Sequence, residues 1–183
     1  MRQQGVRPGE TVAIQGIGGL GHLGIQYARK MGYRVVAISS GGAKRELALQ
    51  LGAHHYIDSS ATSVTEEVRK LGGAKMIVIT APDPNLMGQY TACLAWQGKL
   101  VILARNTTAC GELTLSSNDL VLMSSSVSGW HAGGALDCEE AIEFARLHDV
   151  RCMTESFPLE RIQEAADRLR SSKARFRVVL TMQ

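Results

Sequence analysis

Three glycines, Gly16, Gly18 and Gly21, stand in the spacing G-x-G-x-x-G inside Thr11–Ser40, which reads TVAIQGIGGLGHLGIQYARKMGYRVVAISS. That spacing suits a pyrophosphate. The first glycine permits a tight turn, the second lets backbone approach the anion, and the third lets a helix pack closely on a strand. The turn carries weight only between a strand and a helix, and both are present. Thr11–Gln15 is an apolar run, Leu20–Met31 is an amphipathic helix and Arg34–Ser39 is a second apolar strand. The amides and dipole at the helix start then offer an anion site. The turn residues expected to hold a dinucleotide are Gly16, Gly18, Gly19, Leu20 and Gly21.

The end of the second strand selects which dinucleotide. A carboxylate about 20 residues after the turn accepts from the ribose 2′-hydroxyl of NAD. This chain instead carries Ser39 and Ser40, two glycines, then Lys44 and Arg45; the nearby acid, Glu46, lies inside the next helix. Hydroxyls and cations bind a 2′-phosphate that a carboxylate would repel. The residues therefore predict NADP(H) over NAD(H), against the alternative of a solvated serine-glycine loop before a basic helix start.

Further candidates sit at other strand ends. Thr80, Ala81 and Pro82 end a fourth strand, and Leu103 with Ala104 end a fifth. In an open α/β sheet these ends face the ligand, where small and apolar residues pack the adenine and nicotinamide halves. Arg105 either meets a phosphate or is solvated. His22, in the first turn of the helix, is expected to pack in the crevice. His131, in GWHAGG, is a candidate for lining the nicotinamide side, with no partner that would make it a general base. His54, His55 and His148 read as structural or solvated. Cys93, Cys110, Cys138 and Cys152 form no C-x-x-C pair and have no histidine close in sequence. They are expected to be free, mostly buried thiols, and no catalytic or metal-ligating residue is assigned.

The elements that must position these residues recur at steady intervals. Strands are predicted at Thr11–Gln15, Arg34–Ser39, His55–Asp58, Met76–Ala81 and Lys99–Ala104. Helices are predicted at Leu20–Met31, Ala43–Leu51, Ser63–Leu71 and Pro84–Trp96. Alternation of this kind predicts βαβ units, and nearly continuous apolar strands predict a parallel sheet covered on both faces. The fold class is thus α/β, a Rossmann-type doubly wound parallel sheet. Ser63 with Glu66 reads as a capping box, and Gly32 and Gly52 as helix ends. Pro82 and Pro84 close the fourth strand and open the next helix. Beyond Arg105 the pattern loosens into a loop at Asn106–Asn118 with a short strand at Glu112–Leu115. A short helix or turn at Asp119–Met123 and a sixth strand at Ser126–Gly129 follow. The chain closes with helix Asp137–His148, a strand near Arg151–Glu155, helix Leu159–Arg170 and strand Arg175–Met182.

The 183 residues suit one core with a small appendage, here 1–150 and a helix-strand extension at 151–183. A hydrophobic content of 45%, a charged content of 20% and a net charge of +3 are those of an ordinary soluble protein. Its basic residues are scattered, which argues against nucleic acid as a partner. No apolar run approaches a membrane span and MRQQGVRPGE is no signal sequence, so the cytoplasm is the expected location.

The chain resembles the medium-chain dehydrogenase/reductase superfamily, and within it the zinc alcohol dehydrogenases of the cinnamyl-alcohol-dehydrogenase-like branch. The segments that carry the resemblance are RPGETVAIQGIGGLGHLGIQYARKMGYRVVAIS, LALQLGAHHYID, GGAKMIVITAP and LERIQEAADRLRSSKARFRVVLTM. The resemblance implies that Ser39, Ser40 and Lys44 hold the NADP 2′-phosphate. It also implies a preceding GroES-like catalytic domain of about 150 residues, the size of an ordinary domain. That domain carries the zinc ligands and the proton relay, which places zinc outside this chain. The chain would begin inside the helix linking the two domains, and Cys152–Gln183 would fold back on the catalytic domain. Homodimers of the family continue the sheet through the sixth strand, here Ser126–Gly129. Ala104, Arg105 and Trp130 depart from the family's small residues beside the nicotinamide.

The implied activity is hydride transfer between NADP(H) and an alcohol or aldehyde, with this chain as the cofactor half. The alternatives are a non-catalytic dinucleotide-binding or sensor module, and a zinc-independent quinone or enoyl reductase. The HLGIQYA segment counts against the last.

Overall fold

Apolar β-branched runs become the centre of a sheet. Thr11–Gln15 (β1) is buried at every position, and Arg34–Ser39 (β2) is buried at its four central ones. Their side chains alternate between two cores. Val12 and Ile14 of β1 join Val35 and Ala37 of β2 on one face, while Ala13, Val36 and Ile38 join the other. This period-two division is what a strand covered on both sides requires. The computed structural model describes residues 1–81, 87–105 and 113–182.

After β1 the chain runs through helix α1 (Gly21–Lys30), β2, α2 (Arg45–Gln50), β3 (His55–Asp58), α3 (Val64–Lys70), β4 (Ala74–Ile79) and β5 (Leu94–Ile102). Then come α4 (Ser117–Leu122), β6 (Ser126–Gly129) and α5 (Ala135–His148). The six strands pair in the order β3-β2-β1-β4-β5-β6, every pair parallel. The order reverses beside β1, so the crevice at its carboxyl end is the switch point where such sheets take ligands. Ile25 and Ala28 of α1 seal one core, and Val68 of α3 with Tyr90 and Cys93 seals the other. Ser63 Oγ accepts from the Glu66 N–H and caps α3, one half of the capping box that the sequence predicts.

The helix expected over Pro84–Trp96 requires correction from Gly88 onward. Gly88–Cys93 is a 3₁₀ turn and Leu94–Ile102 is already strand; Pro82 and Pro84 lie outside the described residues. The early start of β5 depends on a bulge. Ala74 pairs with Leu94, yet Met76 pairs with Lys99. Gln97 takes up the slack at φ 54, its N–H bonded to the Met123 carbonyl at 2.7 Å. No strand forms at Leu113–Leu115; the rest of that predicted strand and Cys110 lie outside the described residues. Cys93 is buried, but Cys138 and Cys152 are exposed, so the thiols are not mostly buried.

The last part of the chain builds a second, two-stranded parallel sheet. It contains β7 (Thr154–Pro158), α6 (Ile162–Arg170) and β8 (Arg177–Thr181). Strand β7 begins three residues after the predicted start because Met153 is used in contacts with the first layer, described below. Glu155 of β7 receives both Arg168 Nε at 2.7 Å and a second Arg168 nitrogen at 3.0 Å, together with the Arg175 N–H at 2.8 Å. These bonds tie strand, helix and the following loop into one unit. Among the described residues no helix is long and apolar enough to cross a membrane.

Candidate dinucleotide site

The turn after β1 shows why glycine stands at each of its three positions. Gly16 has φ +86, and a Cβ there would lie 2.7 Å from Ala81 Cβ. A Cβ on Gly21 would come within 1.8 Å of the Gly16 carbonyl oxygen. A Cβ on Gly18 would meet nothing within 4 Å, so that side of its Cα faces open space. Two of the glycines thus serve close packing, and one leaves room for a ligand. Thr80 Oγ1 steadies the turn from β4, donating to the Gln15 carbonyl at 2.8 Å and lying 3.0 Å from that of Gly16.

This turn opens on a cavity of about 840 Å³. One wall is Gln15–Gly19, with Thr80 and Ala81 at the end of β4. A second is Ile38, Ser39, Ser40 and Lys44, with Ser59 and Ser60 after β3. A third comes from the end of α6 and the loop beyond it, Leu169 and Ser172–Phe176. The structure therefore brings together Gly16, Gly18, Gly19, Ser39, Ser40, Lys44 and Thr80. Leu20, Gly21, Leu103 and Ala104 do not line this cavity. Leu103 and Trp130 line a separate apolar groove of about 380 Å³ with Tyr27, Val101 and Phe144. Trp130 thus belongs to the apolar groove and not to the lining of the cavity at the glycine turn. Arg105 and His131 are exposed.

The electrostatics of the second wall come from three groups. Lys44 Nζ donates to the Ile17 carbonyl at 2.9 Å, so a cation is held against the glycine turn. Burial first, and then the Arg175 guanidinium, lowers its pKa below the ordinary lysine range. The nearby acid is Asp58, whose Oδ1 accepts from the Gly41 N–H at 2.8 Å, the Ser60 N–H at 2.9 Å and Ser60 Oγ at 2.6 Å. Those bonds hold its carboxyl below the ordinary range and spend its acceptor on the loop rather than the cavity. No Asp or Glu lines the cavity among the described residues.

Sequence reasoning missed the third wall. Lys173, Ala174, Arg175 and Phe176 reach the cavity from more than a hundred residues away, as part of SSKARFR. The available signal was composition, a basic cluster next to serines. Arg177, just beyond, packs its guanidinium 2.8 Å from where a Cβ on Gly19 would stand.

Comparison with known proteins agrees with this geometry. Residues 19–146 match the family described as zinc-binding dehydrogenase. The chain belongs to that family. It is 46% identical over 182 residues to the alcohol dehydrogenase patD of Penicillium expansum, covering all of this chain and 52% of that protein. It is 34% identical over 181 residues to an alcohol dehydrogenase of Geobacillus stearothermophilus, covering 98% of this chain and 53% of the other. Among solved structures, the alcohol dehydrogenase of Aeropyrum pernix superposes with a TM-score of 0.85 at 26% identity, over 97% of this chain and 51% of its own. A cinnamyl alcohol dehydrogenase of Sorghum bicolor superposes at 0.82 and 26% identity, over 95% of this chain and 48% of its own. The chain spans about half the length of these relatives. Its likeness is to one half of these alcohol dehydrogenases, the half that carries the dinucleotide-binding sheet.

The family name implies zinc, and the described residues do not supply its site. Among the described residues no group of three or more His, Cys, Asp or Glu lies close enough to hold a metal ion. A nicotinamide dinucleotide does fit: Gly18 opens without a side chain on the polar cavity, just before the start of α1.

Proposed function

We propose that this chain binds NADP(H) in preference to NAD(H), as the cofactor half of an enzyme acting between alcohols and aldehydes. The observation that carries the reading is a cavity wall of Ser39, Ser40 and Lys44 with no lining carboxylate among the described residues. When bound, the nicotinamide supplies hydride to the carbonyl carbon. The chain's own residues bind and orient it. Gly18 admits the pyrophosphate against backbone, and the serine hydroxyls and Lys44 receive the 2′-phosphate. Arg175 adds a second cation to that end of the cavity, where two charges around a phosphate act together. In this reading residues 1–150 form the cofactor domain and 151–183 close it. A cytoplasmic location and a homodimer through the edge strand β6 belong to the same reading.

The test is paired binding of NADPH and NADH, followed by fluorescence or calorimetry. Wild type is expected to bind NADPH more tightly. Lys44→Ala should weaken NADPH about tenfold to a hundredfold and NADH less than about threefold, because a charge-assisted bond is lost only with the former. Ser39→Asp should reverse the preference. NADH binding equal to or tighter than NADPH binding in the wild type sinks the NADP reading.

A further inference from the structure

His22 is 0% exposed, at the second position of α1. Both ring nitrogens of this buried imidazole are engaged. The backbone N–H of Met153 donates to Nε2 at 3.1 Å, so Nε2 carries no proton. The proton is therefore on Nδ1, which donates to the Gly18 carbonyl at 2.8 Å. Phe176 stacks on the ring with centroids 4.7 Å apart and planes 26° apart. The Met153 carbonyl in turn accepts from the N–H groups of Phe176 at 3.0 Å and Arg177 at 3.1 Å. One side chain thus joins Gly18, on the first wall of the cavity, to the end of loop Ser172–Phe176, on the third.

We propose that His22 is a positioning residue for the dinucleotide: its neutral Nδ1–H tautomer holds the glycine turn and the C-terminal wall at their working separation, so cofactor affinity requires an uncharged imidazole. The inference rests on the dinucleotide reading of the cavity. Protonation would set a second donor, Nε2–H, against the Met153 N–H and break that bond. It would also place a cation in the field of Arg177, the charged side chain of β8 that acts on the ring. The other groups packed on it, Gln26, Gly18, Met153 and Phe176, are uncharged. Burial opposes the charged form most strongly, and with Arg177 it outweighs the bond to the Gly18 carbonyl, which favours that form. The C-terminal unit would loosen without detaching, because Gln26 holds it separately. Its Nε2 donates to the Arg151 carbonyl at 2.9 Å, and its Oε1 accepts from the Arg151 N–H at 3.0 Å.

The experiment measures NADPH dissociation constants for wild type, His22→Gln and His22→Phe from about pH 5.5 to about pH 8, across the ordinary histidine range. Phenylalanine keeps the stack and removes both hydrogen bonds, and should bind about tenfold more weakly at the alkaline end. Glutamine offers an oxygen where Nε2 accepts and should stay within about threefold of wild type there. Because the cofactor's own 2′-phosphate titrates near pH 6 in every case, the readout is the difference between profiles. Wild-type affinity should fall more steeply in acid than that of His22→Gln. Imidazole ¹⁵N–¹H spectra of the wild type should show the Nδ1–H tautomer at neutral pH. Parallel pH profiles, unweakened binding by His22→Phe, or an Nε2–H tautomer overturns the proposal. Should His22→Phe fail to fold, the comparison of wild type with His22→Gln decides alone. A wild type that binds neither dinucleotide overturns the cavity reading itself, whereas tight NADPH binding with parallel profiles removes only the role of His22.

Discussion

Gly18 and Gly21 are three residues apart in one motif and answer to different demands. A methyl on Gly21 would collide with a backbone oxygen, which has no rotamer to move away. A methyl on Gly18 would meet no protein atom and would occupy ligand space. Gly21→Ala is therefore expected to cost about 2–3 kcal/mol of stability, seen as a lowered thermal midpoint. Gly18→Ala should keep its midpoint and lose about tenfold or more in NADPH affinity, the tenfold corresponding to about 1.4 kcal/mol. A Gly18→Ala variant that binds like wild type would remove the pyrophosphate from that place. The close packing at Gly21 and the room at Gly18 were legible in sequence, because each depends on a local spacing of one to five residues. Ser39, Ser40 and Lys44 were legible as neighbours of the turn from a longer spacing, 23 to 28 residues after Gly16, where the second strand ends. Arg175 was not: nothing in SSKARFR fixes which surface it reaches until the second sheet has folded.

At the scale of elements, Glu155 is the joint of the C-terminal unit. Arg168 first, then the Arg175 N–H, holds its carboxyl below the ordinary glutamate range. A folded-state pKa below the unfolded value means that the unfolded chain takes up the proton first as pH falls. The stabilisation is thus present above about pH 4.3, the ordinary glutamate value, and is lost as pH falls through the lower folded value. Glu155→Gln should lower the thermal midpoint at neutral pH and flatten its acid dependence, with faster hydrogen exchange at the Arg175 amide. An unchanged amide exchange rate would show that the unit is held elsewhere. The bounds of β1, β2, β3 and β6 were readable because apolar β-branched runs there match the sheet's own period. β5 was misread for a physical reason. Leu94 and Ala95 continue an apolar helical spacing, and only the tertiary bulge at Gln97 and Gly98 recruits them to β4. Gly98 fits there because a Cβ would press within 2.8 Å of the Ala95 carbonyl oxygen.

At the scale of the whole molecule, two concavities among the described residues are unlike. One is lined by serines and cations; the other is an apolar groove over β4 and β5, bordered by Tyr27, Phe144 and a Trp130 that is 44% exposed. Exposed apolar grooves attract amphipathic dyes, so the folded chain should raise anilinonaphthalene-sulfonate emission several-fold without loss of secondary structure. Trp130→Ser should reduce that emission and leave NADPH affinity unchanged. Coincident loss of both signals would mean that the two concavities act as one. The polar cavity has a different history in the life of the chain. Its first walls are built from residues 15–81 and its third from residues 169–176. On a ribosome, where synthesis proceeds from the amino end, the first walls exist while the third is still unmade. A nascent chain halted after α6 would offer its glycine turn as an open trough. NADPH would take full hold only when the closing loop emerges, making cofactor capture a late event relative to the folding of the first walls.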